Sequence, residues 1–497
     1  MKHQKKSKVE NLNTDIVVIG AGGAGLSAAM AAAENGSHAV VLEERRVAGG
    51  NSKMALGLFA AESPVQKRQK IHASKDELFK MAMDFANWKI DPRIFRAYVN
   101  KSGDTIRWLE SKGLRFGDIH PLFPNQYPLT WHCPEGAGPA LIDALVESCM
   151  NQGVTFSYQT KAKKLLTDKA GNITGVLAEK QIGNQKQEIK IAAGSVIIAS
   201  GGFGSNKRML KKYSNDYADG MIYRGIPIKG EGIQMAIEVG AAIDGIGTIQ
   251  KSGPFFRGSL PLWRAAIDPH SIWVNKRGER FIDEVAGYNP FESVNALLRQ
   301  PDRICYSLFD AKFKKRVIDE GTTSYPSMSF EQEDVKITDF EKELQVHAEK
   351  GNVKIASTWD EIAEWIGADP AALQATIDEY NRYCKYRYDE IFDKDRMYLT
   401  PLRTPPFVAL KCYSAFLGTI GGIKINHHME VLNGDDIPIP SLYAAGVDTG
   451  GWEPDTYCAR LAGSTLGFAI NSGRIAGENA ANRVSMKLAD GQQANSI

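Results

Sequence analysis

The sequence predicts an α/β protein: a parallel sheet flanked by helices, built from both ends of the chain and interrupted by an α+β insertion. Three observations predict it. The N-terminal segment reads as strand, glycine-rich turn, helix and second strand. Fully apolar strands that run into glycine return at 196–204 and 442–446. Between 250 and 404 the texture changes, with more aromatics, more charge and fewer glycine-ended strands. The expected division is a flexible basic tail at 1–14, one discontinuous domain at 15–249 and 405–490, and a capping domain at 250–404.

The β-branched run Asp15–Ile19 gives the first strand, the Ala-rich stretch Leu26–Glu34 a helix, and His38–Leu42 a second buried strand ending at Glu43. Helical spacing follows at 74–88, 92–112 and 139–152, then alternating strands over 154–175 and an apolar strand at 196–199. In the insertion, 359–366 and 370–388 read as helices. Asp369 is the N-cap of the second and Pro370 its first turn, with Leu373, Ile377 and Tyr380 at helical spacing. An apolar helix over 464–481 closes the pattern.

Composition excludes several classes. The chain has 60 Lys+Arg against 58 Asp+Glu, a net charge of +2, too balanced to hold nucleic acid or an anionic membrane by electrostatics alone. Six cysteines (Cys133, Cys149, Cys305, Cys384, Cys412 and Cys458) are dispersed without a CxxC pair, which argues for reduced thiols in a cytoplasmic protein and against zinc or disulfides. The uncharged run 16–33 approaches the length of a membrane span, yet its cluster of small residues reads better as a soluble strand–turn–helix. Glycine is the outlier, at 47 of 497 residues, and excess glycine marks places where backbone turns tightly or approaches a ligand.

The segment Gly20-Ala21-Gly22-Gly23-Ala24-Gly25 fits GxGxxG. The first Gly makes the turn, the second admits a pyrophosphate and the third lets helix pack on strand. Glu43 stands where an acid can hold a ribose hydroxyl. A nicotinamide dinucleotide needs only that fingerprint. Here Gly49-Gly50-Asn51-Ser52, Ser200–Gly204 and Ala444–Asp448 add three backbone-dense segments. They point to a larger ligand, FAD.

These segments, with Glu43-Glu44, the run 196–204 (Val-Ile-Ile-Ala-Ser-Gly-Gly-Phe-Gly), Gly-Glu-Gly-Ile at 230–233, the Trp273–Glu284 motif and Leu-Tyr-Ala-Ala-Gly at 442–446, resemble the fumarate reductase / 3-ketosteroid dehydrogenase flavoprotein superfamily. The resemblance runs in order along nearly the whole chain. It implies a Rossmann-like FAD-binding domain with an inserted α+β capping domain. As cofactor contacts it implies Gly20, Gly22, Ala24, Gly25, Glu43, Glu44, Gly50, Asn51, Ser52, Gly57, Ala199, Gly201, Gly446, Asp448, Ser464 and Leu466. No His stands at 45–60, where covalently flavinylated relatives carry one, so FAD is expected to bind non-covalently.

The superfamily moves hydrogen across a C–C bond next to a carbonyl or carboxylate, which requires a protein acid/base and a group that stabilises charge on oxygen. Eight residues after Arg280, where fumarate reductases place an Arg, this chain has Tyr288, as ketosteroid dehydrogenases do. Thr456-Tyr457 matches the pair whose Tyr polarises a ketone, and Arg460-Leu461-Ala462-Gly463 resembles the run whose Arg holds a carboxylate. The histidines of the dicarboxylate clamp are missing, which disfavours fumarate. Trp131, Phe255, Phe256, Trp263 and Trp452 are candidates for a flat slot.

The resulting expectation is a cytoplasmic FAD-dependent ene reductase acting on an α,β-unsaturated carbonyl or carboxylic acid. Tyr288 is its proton donor, and Tyr457 and Arg460 hold the oxygen. Its partners are a small-molecule substrate and an external electron donor or acceptor. The same site run backwards would be a 3-ketosteroid-type dehydrogenase; a flavin-bearing electron-transfer subunit is the rival of another class.

Overall fold

The computed structural model describes residues 10–123, 125–323 and 339–494, with side chains described as far as 487. In chain order the elements that build the site are β1 (Glu10–Ile19), α1 (Gly23–Glu34), β2 (Ala39–Glu43), β3 (Thr155–Tyr158), β4 (Gln185–Ile198), β5 (Ile243–Phe255), β6 (Ile272–Val274), β7 (Ile304–Phe309), β8 (Phe407–Ile423), β9 (Glu430–Leu432), β10 (Pro438–Ala444) and α2 (Ser464–Ala494).

The first sheet has the order β9-β10-β4-β1-β2-β3, and its pairings from β10 to β3 are parallel. Val17 pairs with Val40 on one side and Val196 on the other, and Leu442 pairs with Val196 in turn. Residues from both chain ends therefore share one buried sheet, and Ile16, Val17 and Val18 are wholly buried in it. Continuous apolar runs of this kind are what a sheet covered on both faces requires. An antiparallel hairpin, 160–167 and 173–182, extends β4 along its edge. Helix α2 lies against α1 at backbone distance. A Cβ at Gly473 would meet the Ala24 carbonyl at 2.2 Å, and one at Gly477 the Ala28 carbonyl at 2.2 Å.

A boundary near each end of the chain differs from expectation. The first strand begins at Glu10 rather than Asp15, because β4 is long enough to pair Glu10 with Ile189 and Thr14 with Ala193; the rest of the expected tail lies outside the described residues. The last helix continues past Ala481 to Ala494, since a polar helix needs no core contact to extend an already nucleated one.

The second sheet runs β5-β8-β7-β6, antiparallel along that path. β5 and β8 are long and bulged: Ile243 pairs with Ile423 at one end and Phe255 with Tyr413 at the other. The expected boundary at 249/250 thus falls inside a strand. Two helices cover one face of this sheet. The first, Trp359–Ile366, is capped by the Thr358 hydroxyl. The second, Pro370–Tyr386, is capped by Asp369, which accepts the Ala371 N–H at 2.9 Å, and it stops at Arg387 in the left-handed region. Leu373, Ile377 and Tyr380 face the sheet, as their spacing requires.

Candidate active site

A cavity of about 550 Å³ opens at the C-terminal ends of β1, β2 and β4 and runs to the second sheet. Strand ends of a doubly wound sheet are where such folds bind ligands. At this end the fingerprint glycines divide their work. A Cβ on Gly25 would meet the Gly20 carbonyl at 1.8 Å, so Gly25 serves the close packing of α1 on the turn and does not line the cavity. Gly22 does line it, and a Cβ there would meet nothing nearer than the Gly49 carbonyl at 3.9 Å. Helix α1 starts without a side-chain cap on its N-cap residue or an acid in its first turn, although the Gly23 N–H donates to the Ser52 hydroxyl at 3.1 Å. An uncapped helix start beside open space suits a pyrophosphate.

The Glu43 carboxylate lines the cavity and accepts the backbone N–H groups of Ala21 and Arg45, each at 2.9 Å. Lys161 joins Glu44 and Glu231 at 3.1 and 2.7 Å. Gly20, Ala24, Gly50, Asn51, Ser52, Gly57, Ala199, Gly201, Gly446 and Leu466 also line the wall. Asn51 is held there by accepting the Ile226 N–H at 2.9 Å. The expected contacts Asp448 and Ser464 do not line it. The Asp448 side chain is wholly buried behind the turn at 200–202, whose N–H groups it accepts. Ser464 is buried at the start of α2. The open backbone at Gly22, the uncapped helix and the acid at the end of β2 fit FAD, with Gly446 and Leu466 placed further along the same cavity.

Towards the second sheet the cavity is walled by Trp131, Phe255, Trp263, Phe291 and Tyr457. Two other expected aromatics are elsewhere. Phe256 packs against His347 at 5.0 Å between ring centroids, and Trp452 stacks on Phe468 at 4.1 Å; both are core. Tyr457 is 4% exposed and its ring sits 4.8 Å from that of Phe291. Burial pushes its phenol up to about 12, helped by the nearby Glu453 carboxyl and opposed by the Ser464 and Thr465 hydroxyls. It is therefore a hydrogen-bond donor at any ordinary pH.

The structure does not bring Tyr288 or Arg460 to this wall. Tyr288 ends the short 3₁₀ turn Glu284–Tyr288, and its hydroxyl donates to the Thr323 carbonyl at 2.8 Å. Pro290 and Phe291, two and three residues on, do line the cavity. Beneath the turn Glu284 is wholly buried, with Arg280 at 2.9 Å and Lys394 at 2.8 Å. The Arg-Phe…Asp-Glu motif is thus, in this structure, an ion-paired brace for the turn. Arg460 is exposed, because the tight turn from Tyr457 to Leu461 points Tyr457 inward and Arg460 outward; its carbonyl accepts from the Gln126 amide at 3.1 Å.

Sequence reading missed three polar residues at the cap end: Arg224, Gln250 and Ser252. Alternation along β5 carries a signal for the last two, since Gln250 and Ser252 face the cavity while Lys251 turns away to pair with Asp216. Nothing in the sequence marks Arg224.

The sequence matches the FAD binding domain family over residues 15–466. The chain belongs to that family. This flavoprotein is 32% identical over 484 residues to the vinyl phenol reductase of Lactiplantibacillus plantarum, covering 94% of the chain and 96% of that protein. Its fold matches the open conformation of a flavocytochrome c3 fumarate reductase with a TM-score of 0.75 and 25% identity, over 95% of this chain and 79% of that one. A 3-ketosteroid-Δ4-(5α)-dehydrogenase from Rhodococcus jostii RHA1 matches with a TM-score of 0.73 and 23% identity, over 96% and 99%. The chain is an FAD-dependent oxidoreductase acting on the CH–CH group. Among the described residues no helix is long and apolar enough to cross a membrane.

Proposed function

We propose that this flavoprotein is an ene reductase for α,β-unsaturated carbonyl compounds or carboxylic acids that carry a flat apolar body. The observation that carries this reading is one cavity lined both by the dinucleotide turn and by the Tyr457 phenol, with Trp131, Trp263 and Phe291 around it. Gly22, Glu43, Gly50 and Leu466 would hold FAD, which when bound and reduced would supply the hydride for the β-carbon. Tyr457 holds its proton and donates a hydrogen bond to the substrate oxygen, where charge grows as the β-carbon is reduced. The aromatic wall orients the planar substrate and displaces water from it.

Tyr288 is assigned the proton for the α-carbon on its place after Arg280 and on the two cavity-lining residues that follow it. That role requires the hydroxyl to exchange the Thr323 carbonyl for the substrate. Arg460, exposed and away from the wall, is left out of the oxygen site. FAD is held non-covalently in this reading, in keeping with a described wall that contains no His or Cys.

Anaerobic titration of the photoreduced enzyme with enones and aryl acrylates tests the reading. Reoxidation of the flavin by at least one of them is expected, with Tyr457→Phe and Tyr288→Phe each slowing it by roughly 100-fold. If no unsaturated compound reoxidises it, the reading fails. Bleaching of the oxidised enzyme by a saturated ketone would move the assignment to a ketosteroid-type dehydrogenase.

A further inference from the structure

At the cap end of the cavity stands a cation, Arg224, for which the described residues supply no counter-ion. Arg224 follows the short strand 222–223, which pairs with Ala415 and Phe416 of β8, and its own N–H donates to the Phe416 carbonyl at 2.9 Å. Its guanidinium carbon lies 4.3 Å from the centroid of the Phe255 ring and 5.3 Å from that of Trp263. Those rings meet at 5.2 Å, and the Trp263 indole N–H is fixed on the Pro254 carbonyl at 3.0 Å. The side chain stays accessible through the cavity. Among the described residues no carboxylate, carbonyl or hydroxyl accepts from it, whereas Lys161 on the same cavity wall and Lys251 beside Ser252 are each paired with an acid.

A guanidinium resting on aromatic rings keeps its in-plane N–H groups for a planar, bidentate acceptor. A second observation points the same way. Ser252 is 4% exposed, lines the same cavity, and its hydroxyl has no hydrogen-bond partner among the described residues. It sits across Ala415 from Ile222, so Ser252 and Arg224 approach the cavity from the two strands that flank β8. A buried hydroxyl left unpaired costs stability unless a ligand satisfies it.

We propose that Arg224 and Ser252 form an anchoring subsite for the carboxylate of an aryl-substituted enoate, with Phe255 and Trp263 as its wall. This rests on the ene-reductase reading above and deepens it from unsaturated carbonyl compounds in general to carboxylates. The guanidinium pairs the carboxylate, the hydroxyl donates to its second oxygen, and the rings cover the apolar body. An ester or amide of the same acid forfeits the charge while keeping the shape, so it leaves the cation desolvated and unpaired.

The test uses the oxidised holoenzyme and a pair of probes that cannot turn over: a 3-arylpropionate and its methyl ester. Dissociation constants are read from the perturbation of the flavin absorption band. The acid is expected to bind the wild type more tightly than the ester. Arg224→Gln should weaken the acid by roughly 10-fold to 100-fold and leave the ester unchanged. Arg224→Lys, which keeps the charge, should recover part of the loss, and Ser252→Ala should give a smaller one. Equal affinity for acid and ester in the wild type, or equal weakening of both by Arg224→Gln, overturns the subsite. The two readings separate cleanly. If enoates reoxidise the reduced enzyme while binding ignores Arg224, the subsite falls alone. If arylpropionate binding depends on Arg224 yet no enoate reoxidises the flavin, the subsite stands and the assigned activity falls.

Discussion

Asp448 holds the turn at Gly202 from the far end of the chain. One carboxylate oxygen accepts the Gly202 N–H at 2.7 Å, and the other accepts those of Gly201 at 3.0 Å and of Ser200. Burial raises the pKa of this acid, and the backbone donors oppose that rise. Asp448→Ala would strand three donors, at about 1–3 kcal/mol for each one left unsatisfied. The expected outcome is a lower melting temperature for the apoprotein together with loss of bound FAD, although the side chain does not line the cavity. Asp448→Asn, which keeps one acceptor, should do less. Thermal melts and FAD content after gel filtration check both.

Glu284 is a second buried acid, with the opposite balance. Burial alone would raise its pKa, but Lys394 and Arg280 outweigh it and hold it at about 2. The sign follows from the depressed value: the contribution is complete above the unfolded pKa near 4.5 and is lost as pH falls towards 2. Glu284→Ala leaves Lys394, itself wholly buried, without its partner, and the expected loss is about 3–5 kcal/mol. Denaturant melts at neutral pH measure that loss. The difference between wild type and Glu284→Gln should shrink as the pH is lowered. Since the brace carries the turn that ends at Tyr288, a conservative Glu284→Gln should also slow flavin reoxidation more than it changes substrate affinity.

The parts of the fold legible in the sequence are those fixed by local chemistry. That Gly20–Ala24 and Glu43 line the cavity could be read because a βα turn built to hold a pyrophosphate restricts residue type at each position, and Asp369-Pro370 because helix starts do the same. That Tyr457 lines the cavity was legible from the family resemblance, which places it after the strand at 442–446. The misassigned residues share a different cause. Asp448 and Gly25 sit within motifs that surround the cofactor, yet one braces a neighbouring turn and the other packs a helix, and a motif does not distinguish touching a ligand from shaping what touches it. Arg224 was illegible for a further reason. Its setting is created by Phe255 and Trp263, which lie over thirty residues further along the chain, and by the lack of a paired acid among the described residues, which only the folded chain can reveal.

Glu453 gives a pH dependence of known sign. It is 6% exposed, its carboxylate accepts the Cys458 N–H at 2.6 Å, and burial pushes its pKa up to about 8. Between 4.5 and 8 the unfolded chain has released this proton while the native protein retains it. The native state then binds more protons, so this residue's contribution to stability falls as pH rises through that window. The slope is about 1.4 kcal/mol per pH unit at its steepest. Glu453→Gln keeps the acceptor for Cys458 and removes the titration. Its melting temperature should match that of the wild type near the lower end of the window and exceed it at the upper end. A difference that is flat with pH would show that Glu453 is ionised throughout.

Gly22 and Gly25 allow cofactor binding to be separated from folding within a single motif. Gly22 has an extended backbone that any residue tolerates, with φ −81° and ψ −176°, and a Cβ there projects into open cavity. Gly22→Ala should therefore fold and melt as an apoprotein much like the wild type, within about 0.5 kcal/mol. Its FAD affinity should nevertheless drop by at least an order of magnitude, because the added methyl occupies the path of the pyrophosphate. Gly25→Ala places its methyl 1.8 Å from the Gly20 carbonyl. Neither backbone can yield without separating α1 from β1, so the apoprotein itself should be destabilised by about 1–3 kcal/mol or more. Flavin fluorescence titration against apoprotein melts distinguishes the two. Equal apoprotein stability in both variants would mean that the third glycine of the motif is not a packing residue.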